Sequence, residues 1–120
     1  MSTQAIRGAT QIPMDTKESM DHEVAALLEE MLRTNDLTTE EVISAIFTVT
    51  PDLVSEFPAA SARRAGWSGV PMLGAVEIAV PGALARTLRV MIHVETVREK
   101  REITHVYRGE ARVLRPDLTS

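Results

Sequence analysis

The chain has 120 residues, of which 44% are apolar and 25% charged, and this composition predicts one soluble domain over residues 1–120. It contains no cysteine, which excludes disulfides, thiolate metal sites and thiol nucleophiles. No apolar run approaches the ~20 residues of a membrane span, and the first residues lack a signal-peptide pattern. We therefore expect a cytoplasmic protein that does not bind membranes.

Charge is distributed unevenly along the chain. Residues 1–56 carry 3 basic and 11 acidic side chains (net −8), and residues 57–120 carry 10 basic and 6 acidic ones (net +4). The overall charge of −4 and an aromatic content of 3% argue against nucleic-acid binding. Of the 13 basic residues 11 are arginine, which binds carboxylate and phosphate groups in a forked geometry. A codon bias toward arginine would explain this composition at least as well.

The N-terminal part predicts a strand over residues 5–10 and a long helix over residues 16–33. Asp15 and Glu18 fit a capping box at the start of this helix, with Asp15 as the N-cap. Asn35-Asp36 ends the helix. Its apolar stripe consists of Met20, Val24, Leu27, Leu28, Met31 and Leu32.

The next segment predicts a one-turn helix at residues 38–41 and a second strand over residues 43–49. The alternation groups Ile43, Ala45, Phe47 and Val49 on one strand face. Thr50-Pro51-Asp52 ends the strand.

Residues 57–66 predict a short helix, with Pro58 near its start and Gly66 at its end. Arg63 and Arg64 fall in its last turn, where the helix dipole favours cations, so neither arginine requires a ligand. Residues 70–80 predict a strand region interrupted at Pro71 and Gly74. Within this region Val76, Ile78 and Val80 share one face, while Ala75 and Glu77 share the other. Residues 81–82 predict a turn and residues 83–86 a helical turn.

Residues 87–95 carry the clearest strand pattern. Leu88, Val90, Ile92 and Val94 alternate with polar or mixed residues, so Arg89 is expected on a stiff strand, pointing away from the core.

Residues 98–102 predict a solvated charged loop and residues 103–107 a last short strand. The chain from residue 109 predicts a tail, of which about 112–120 is expected to be mobile. The elements together favour an α+β fold with a mixed β-sheet packed on one long helix and short helices.

The chain contains no standard catalytic motif. His22, His93 and His105 lack metal-ligand spacing, so no metal site is predicted. The remaining polar residues on strands and at element ends are Arg7, Arg63, Glu77, Arg89, Tyr107 and Arg115. Several arginines with one acid and one phenol suit the binding of a small dianion, and a reaction that needs charge placement rather than proton transfer. Taken singly, Glu77 and Arg89 also fit solvated positions on the wet face of a sheet.

Eight short segments then occur together in an order and spacing that resemble a known family. The segments are Ile6-Arg7-Gly8-Ala9-Thr10, Thr50-Pro51-Asp52-Leu53, Phe57-Pro58-Ala59, Gly66-Trp67, Val70-Pro71, Arg89-Val90-Met91, His105-Val106-Tyr107 and Leu114-Arg115-Pro116-Asp117-Leu118. The chain resembles the AroH-class monofunctional chorismate mutases over about residues 5–118. The resemblance implies a homotrimeric pseudo-α/β-barrel with active sites between subunits. It also implies the Claisen rearrangement of chorismate to prephenate in aromatic amino-acid biosynthesis, with no cofactor and no covalent intermediate.

The resemblance also implies roles for individual residues. Arg89 would donate to the ether oxygen as the C–O bond breaks, and to a carboxylate. Glu77 would accept from the ring hydroxyl, and Arg7 and Tyr107 would bind carboxylate groups. The remaining implied substrate-binding positions are Phe57, Ala59 and Arg63 of the neighbouring subunit, Met72, Leu73 and Gly74, and Leu114 and Arg115 of a closing tail.

Two positions depart from the resemblance. Ala60 stands where some members have lysine, and Gly74 stands where some have a polar side chain. Both departures are expected to weaken substrate binding without affecting the ether-oxygen donor.

Two other functions fit the same residues. One is a related trimer that activates water beside an arginine, such as an imine deaminase. The other is a non-enzymatic trimer that senses a carboxylate metabolite. The matches at Tyr107 and at residues 114–117 favour the mutase over both.

Overall fold

The computed structural model describes residues 1–114, which form one mixed sheet covered by helices. The strands are β1 (Ser2–Gln11), β2 (Val42–Val49), β3 (Met72–Val76), β4 (Thr87–Thr96) and β5 (Val106–Tyr107), and their order in the sheet is β3-β2-β4-β1-β5. β4 pairs antiparallel with β1 and β2, whereas β3 is parallel to β2 and β5 is parallel to β1. The predicted α+β class with a mixed sheet is confirmed.

Helix α1 (Lys17–Thr34) covers one face of the sheet. The predicted apolar stripe is confirmed, since Met20, Val24, Leu27, Leu28 and Met31 are buried and Leu32 packs at the edge of the core. Gly8 of β1 lies directly beneath this helix, and a Cβ atom there would stand 2.3 Å from Met31 Sδ. The missing side chain at Gly8 therefore lets the helix approach the sheet closely.

The start of α1 corrects the predicted capping box. The N-cap is Thr16, whose hydroxyl accepts from the Ser19 backbone N–H at 3.1 Å. The Asp15 carboxylate instead accepts from the backbone N–H groups of Val54 and Ser55, both at 3.1 Å. A tertiary contact thus takes Asp15 away from the helix, and Glu18 is one position short of the N3 site that a capping box requires.

The core face of β2 differs from the predicted alternation at its first residue. A bulge between Val42 and Ser44 shifts the register against β4. Val42 is buried in consequence and Ile43 is exposed, while Ala45 and Phe47 lie in the core as expected.

The segment between β2 and β3 contains a shorter helix than predicted. Helix α2 covers Pro58–Ala62 and is followed by a wide turn, Arg63–Trp67, in which Gly66 has a φ of 103°. This left-handed conformation favours glycine and ends the helical path at Gly66, as the sequence predicts. One-turn 3-10 helices occupy Thr39–Glu41 and Lys100–Glu102, and a longer one occupies Gly109–Leu114.

Two predictions near β3 and β4 are wrong. Gly74 does not interrupt the strand but lies within β3, and Ile78 and Val80 fall outside the strand. Residues 83–86 form no helical turn, because Arg86 adopts a φ of 46° and its carbonyl accepts from the Ile12 N–H at 2.7 Å. The turn at residues 81–82 is confirmed.

The expected tail begins within ordered structure, since Leu114 ends a 3-10 helix and packs beside Ala9 and Tyr107. Arg115 and residues 116–120 lie outside the described residues. Among residues 1–114, no helix is both long and apolar enough to cross a bilayer.

Candidate active site

The sheet face opposite α1 carries most of the predicted site. Residues directly paired in neighbouring strands share a face, and one such row crosses all five strands. The row consists of Ala75, Thr48, Arg89, Ala9 and Tyr107, in β3, β2, β4, β1 and β5. Arg89 and Tyr107 therefore flank Ala9 at a separation of two strands, or about 10 Å.

An ion pair lies at the β3 side of Ala9. Arg89 Nε is 3.0 Å from Glu77 Oε2, and the Thr48 hydroxyl donates to the same oxygen at 2.6 Å. The Glu77 side chain is mostly buried, and about a third of the Arg89 side chain is exposed. The predicted pair of Glu77 and Arg89 is thus brought together on one face of the sheet.

Two buried donors lie on this face. Arg89 Nε is paired ionically with Glu77 Oε2 at 3.0 Å, without the geometry of a hydrogen bond, whereas the Tyr107 hydroxyl has no partner within residues 1–114. Buried polar atoms are nearly always satisfied in proteins by other groups or by water, so the Tyr107 hydroxyl is a donor available to a further partner. The two atoms belong to the row that passes through Ala9.

Arg7 lies on the same face, two residues before Ala9 in β1 and paired with Met91 of β4. Its backbone N–H donates to His105 Nδ1 at 3.0 Å, which ties β1 to the segment that leads into β5. Within residues 1–114 the Arg7 guanidinium forms no ion pair with a carboxylate. Two guanidinium groups and a phenol thus surround Ala9, an arrangement suited to a dianion.

A second group of predicted residues lies elsewhere. Phe57, Ala59 and Gly74 line a cavity of about 510 Å³ together with Pro58 and Val49. Ala75, the residue of the row in β3, also lines this cavity, which therefore lies at the β3 edge of the sheet. Phe57 is 77% exposed, which is unusual for an aromatic side chain without a partner. Within one chain Arg7 and Tyr107 thus lie toward one edge of the sheet, in β1 and β5, and the cavity lies at the opposite edge.

Contacts from α1 hold the wall of this cavity. Arg64 donates to Asp21 Oδ1 and to Glu56 Oε2, both at 2.6 Å, and the Ser61 hydroxyl donates to Asp21 Oδ1 at 2.6 Å. Hydrogen bonds from Arg64 and then from Ser61 lower the pKa of Asp21, while those from the Phe57 N–H and then from Arg64 lower the pKa of Glu56. Both carboxylates are thus kept ionised, and the residues around Phe57 are fixed against α1.

Comparison with known proteins identifies the family of this chain. The family model described as chorismate mutase type I matches residues 3–118. The chain belongs to this family. Its relatives include proteins named chorismate mutase AroH from Thermus thermophilus (45% identity over 96% of this chain and 95% of the relative) and from Bacillus subtilis strain 168 (38% over 99% and 94%). The solved structure of a chorismate mutase from Clostridium thermocellum superimposes with a TM-score of 0.88 at 45% identity, covering 91% of this chain and 97% of that one.

Not every position suggested by the family resemblance joins one of the two groups. The Met72 side chain is half-buried against the core, and Leu73 is 70% exposed on the face that carries Arg7 and Met91. Arg63 is exposed in the turn after α2, whereas the neighbouring Arg64 is paired. Leu114 packs beside Tyr107.

Three residues that shape this chorismate mutase fold around the site were not predicted from the sequence. Thr48 contacts Glu77, His105 accepts from the Arg7 N–H, and Asn35 joins α1 to the segment before β5. The buried Asn35 amide donates to the carbonyls of Met31 and Thr104 and accepts from the Thr104 N–H. Asn35 and His105 lie in recognisable segments, but their partners are 69 and 98 residues away. No local pattern indicates such contacts.

Proposed function

We propose that this protein rearranges chorismate to prephenate at a site that stabilises developing charge. Chorismate carries two carboxylates, a ring hydroxyl and the ether oxygen whose bond to carbon breaks. Its transition state is more polar than the substrate, because negative charge grows on that ether oxygen. A fixed cation in a dry cleft stabilises this charge without having to reorganise.

The residue roles are those that the family resemblance implies, and the positions of Arg7, Arg89 and Tyr107 around Ala9 support them. Arg89 donates to the ether oxygen and to a carboxylate, while Arg7 and Tyr107 bind carboxylate groups on either side. Glu77, held beside Arg89, accepts from the ring hydroxyl. These contacts also select the compact substrate conformer in which the reacting carbons meet. The proposal requires no cofactor, metal or covalent intermediate.

The observation that carries the proposal is the placement of two buried donors on either side of Ala9: Arg89 Nε, which is ion-paired with Glu77, and the Tyr107 hydroxyl, which has no partner within the described residues. Burying the hydroxyl without a partner costs stability. An anionic ligand beside Ala9 would accept from this hydroxyl and from the Arg89 guanidinium.

The second half of each site is proposed to come from a neighbouring copy in a homotrimer. Phe57 and Ala59 would wall the substrate ring, Arg63 would reach toward it, and the Gly74 backbone would border it. Apolar side chains on the face without a helix support such an assembly, since Ile46, Leu73 and Met91 are exposed in the single chain. The chain end, including Leu114 and Arg115, would cover the site. Ala60 and Gly74 would leave substrate binding weaker than in members with polar groups there.

The assay follows the loss of chorismate absorbance in the presence of the purified protein. Arg89→Ala should lower kcat/KM by about 100- to 1,000-fold, because losing one such donor costs ~3–4 kcal/mol. Arg101→Ala is the matched control, since Arg101 is exposed and pairs only with Glu99 among the described residues. An unaltered oligomer, checked by light scattering, would confirm that Arg89→Ala acts on the chemistry.

Wild-type protein that does not accelerate the reaction would contradict the proposal. Tight binding of chorismate or prephenate without turnover would then indicate the metabolite sensor, and ammonia release from imine substrates the deaminase. The predicted cytoplasmic location and single domain stay predictions.

A further inference from the structure

Thr48 belongs to the row of paired residues on the open sheet face. It lies in β2 between Ala75 of β3 and Arg89 of β4, directly paired with both. Paired residues in adjacent strands have Cβ atoms about 5 Å apart, so the Thr48 side chain stands beside the Arg89 side chain. Its position depends on two strand registers rather than on a flexible loop.

The Thr48 hydroxyl makes one short contact, to Glu77 Oε2 at 2.6 Å. An ionised carboxylate only accepts hydrogen bonds, so Thr48 is the donor. The same oxygen is the one nearest to Arg89 Nε, at 3.0 Å. Glu77 Oε2 is thus shared between a hydroxyl and a guanidinium, and Oε1 accepts no hydrogen bond within the described residues.

Little else in the described structure fixes this carboxylate. Glu77 follows the last residue of β3, and its backbone N–H still donates to the Val49 carbonyl at 2.8 Å. The chain after Glu77 leaves the sheet. The terminal torsion of a glutamate side chain has a broad preference, so the carboxylate plane is set by its contacts.

Without the hydroxyl, a carboxylate beside an arginine prefers a forked contact with two parallel hydrogen bonds. Such a contact would engage guanidinium nitrogens of Arg89 that the reaction needs. We propose that Thr48 is a positioning residue: by holding Oε2, it keeps Glu77 from making a forked contact with Arg89 and leaves Oε1 and the terminal guanidinium nitrogens available for substrate. This inference rests on the proposed function of Glu77 and Arg89.

The test compares Thr48→Val with Thr48→Ser. Valine keeps the shape and the β-branch but removes the hydroxyl, while serine keeps the hydroxyl. Thr48→Val should lower kcat by about 10- to 100-fold, the range expected for a hydrogen bond to a charged group. It should leave the unfolding temperature unchanged or higher, because the forked ion pair forms in its place. Thr48→Ser should retain kcat within about threefold, since its hydroxyl reaches the same oxygen.

Thr10→Val is the matched control. The Thr10 hydroxyl also donates to a glutamate, Glu23 Oε1 at 3.1 Å, but on the helix-covered face of the sheet. This variant should lower stability and leave kcat intact. A Thr48→Val protein that loses stability with unchanged kcat would overturn the inference, since that is the behaviour of a merely structural threonine.

A crystal structure of the ligand-free Thr48→Val protein decides the inference independently of activity. A Glu77 carboxylate turned into a forked contact with Arg89 would support it, and an unmoved carboxylate would overturn it. Absence of turnover by the wild-type protein would instead count against the proposed function.

Discussion

Tyr107 shows how a single side chain can be costly to the fold and useful to the site. Its ring is buried against Ala9 and Ala111, but its hydroxyl has no partner within residues 1–114. A buried hydroxyl without a hydrogen bond destabilises a folded chain. The same group becomes an oriented donor once an anion occupies the space beside Ala9.

Tyr107→Phe should therefore separate binding from stability. We expect KM for chorismate to rise by about 10-fold or more, because a hydrogen bond to a carboxylate is lost. The unfolding temperature should stay the same or rise, because the ring remains and the unpaired hydroxyl is gone. Steady-state kinetics and thermal unfolding of the same preparation measure both quantities. A less stable protein with normal KM would show that the hydroxyl serves the fold instead.

At the scale of elements, α1 supports the segment that carries Phe57. Arg64 connects Asp21 of α1 with Glu56, and Asp15 binds the backbone at residues 54–55. Isolated exposed ion pairs contribute little, but a shared arginine with short contacts to two carboxylates forms a network. The network orders one wall of the cavity from a distant part of the sequence.

Arg64→Met should weaken this support in a pH-dependent way. The pKa values of Asp21 and Glu56 are lowered from 3.8 and 4.5, so their stabilising effect is present above those values and lost as pH falls through the lowered ones. The stability difference between wild type and Arg64→Met should therefore be larger at pH 7 than at pH 3. Urea unfolding followed by the fluorescence of buried Trp67 measures it at both pH values.

Arg63→Met is the control for this prediction, because Arg63 forms no ion pair within the described residues. It should unfold like the wild type at both pH values. Equal effects of the two substitutions would mean that general charge, rather than the Asp21–Arg64–Glu56 contacts, determines the stability of this segment.

The elements that the sequence predicts well are those with one buried face. The stripe of α1 and the alternation of β4 reflect burial directly, so Leu88, Val90, Ile92 and Val94 lie in the core as expected. Prediction fails where a distant partner competes with a local pattern. Asp15 accepts hydrogen bonds from residues 54–55 instead of capping the helix. The bulge in β2 buries Val42 in place of Ile43, which is exposed.

The candidate site shows the same limit. The family resemblance predicts roles for Arg89 and Glu77. The alternation of apolar residues predicts the face of the sheet on which each of them lies. The neighbour that orients them, Thr48, depends on strand register, which local periodicity does not determine across separate strands. Register is fixed by the whole sheet, so residues of this kind are found only in a structure.

At the scale of the whole molecule, the two groups of site residues lie toward opposite edges of the sheet. Arg7 and Tyr107 lie in β1 and β5, and the cavity beside Phe57 lies at the β3 edge. A complete site would need the first surface of one copy to meet the second surface of the next. Such a head-to-tail contact closes into a ring, as in the proposed trimer, whereas a two-fold dimer would join like surfaces.

Mixing two inactive variants tests this arrangement. Arg89→Ala damages the open-face half, and Ala59→Trp fills the cavity of the other half while leaving Arg89 intact. In trimers formed by refolding the two together in equal amounts, about a quarter of the sites should combine two intact halves and recover activity. Each variant refolded alone is the control and should stay inactive. Hybrids verified by a tag on one variant, yet without activity, would show that each site is built within a single chain.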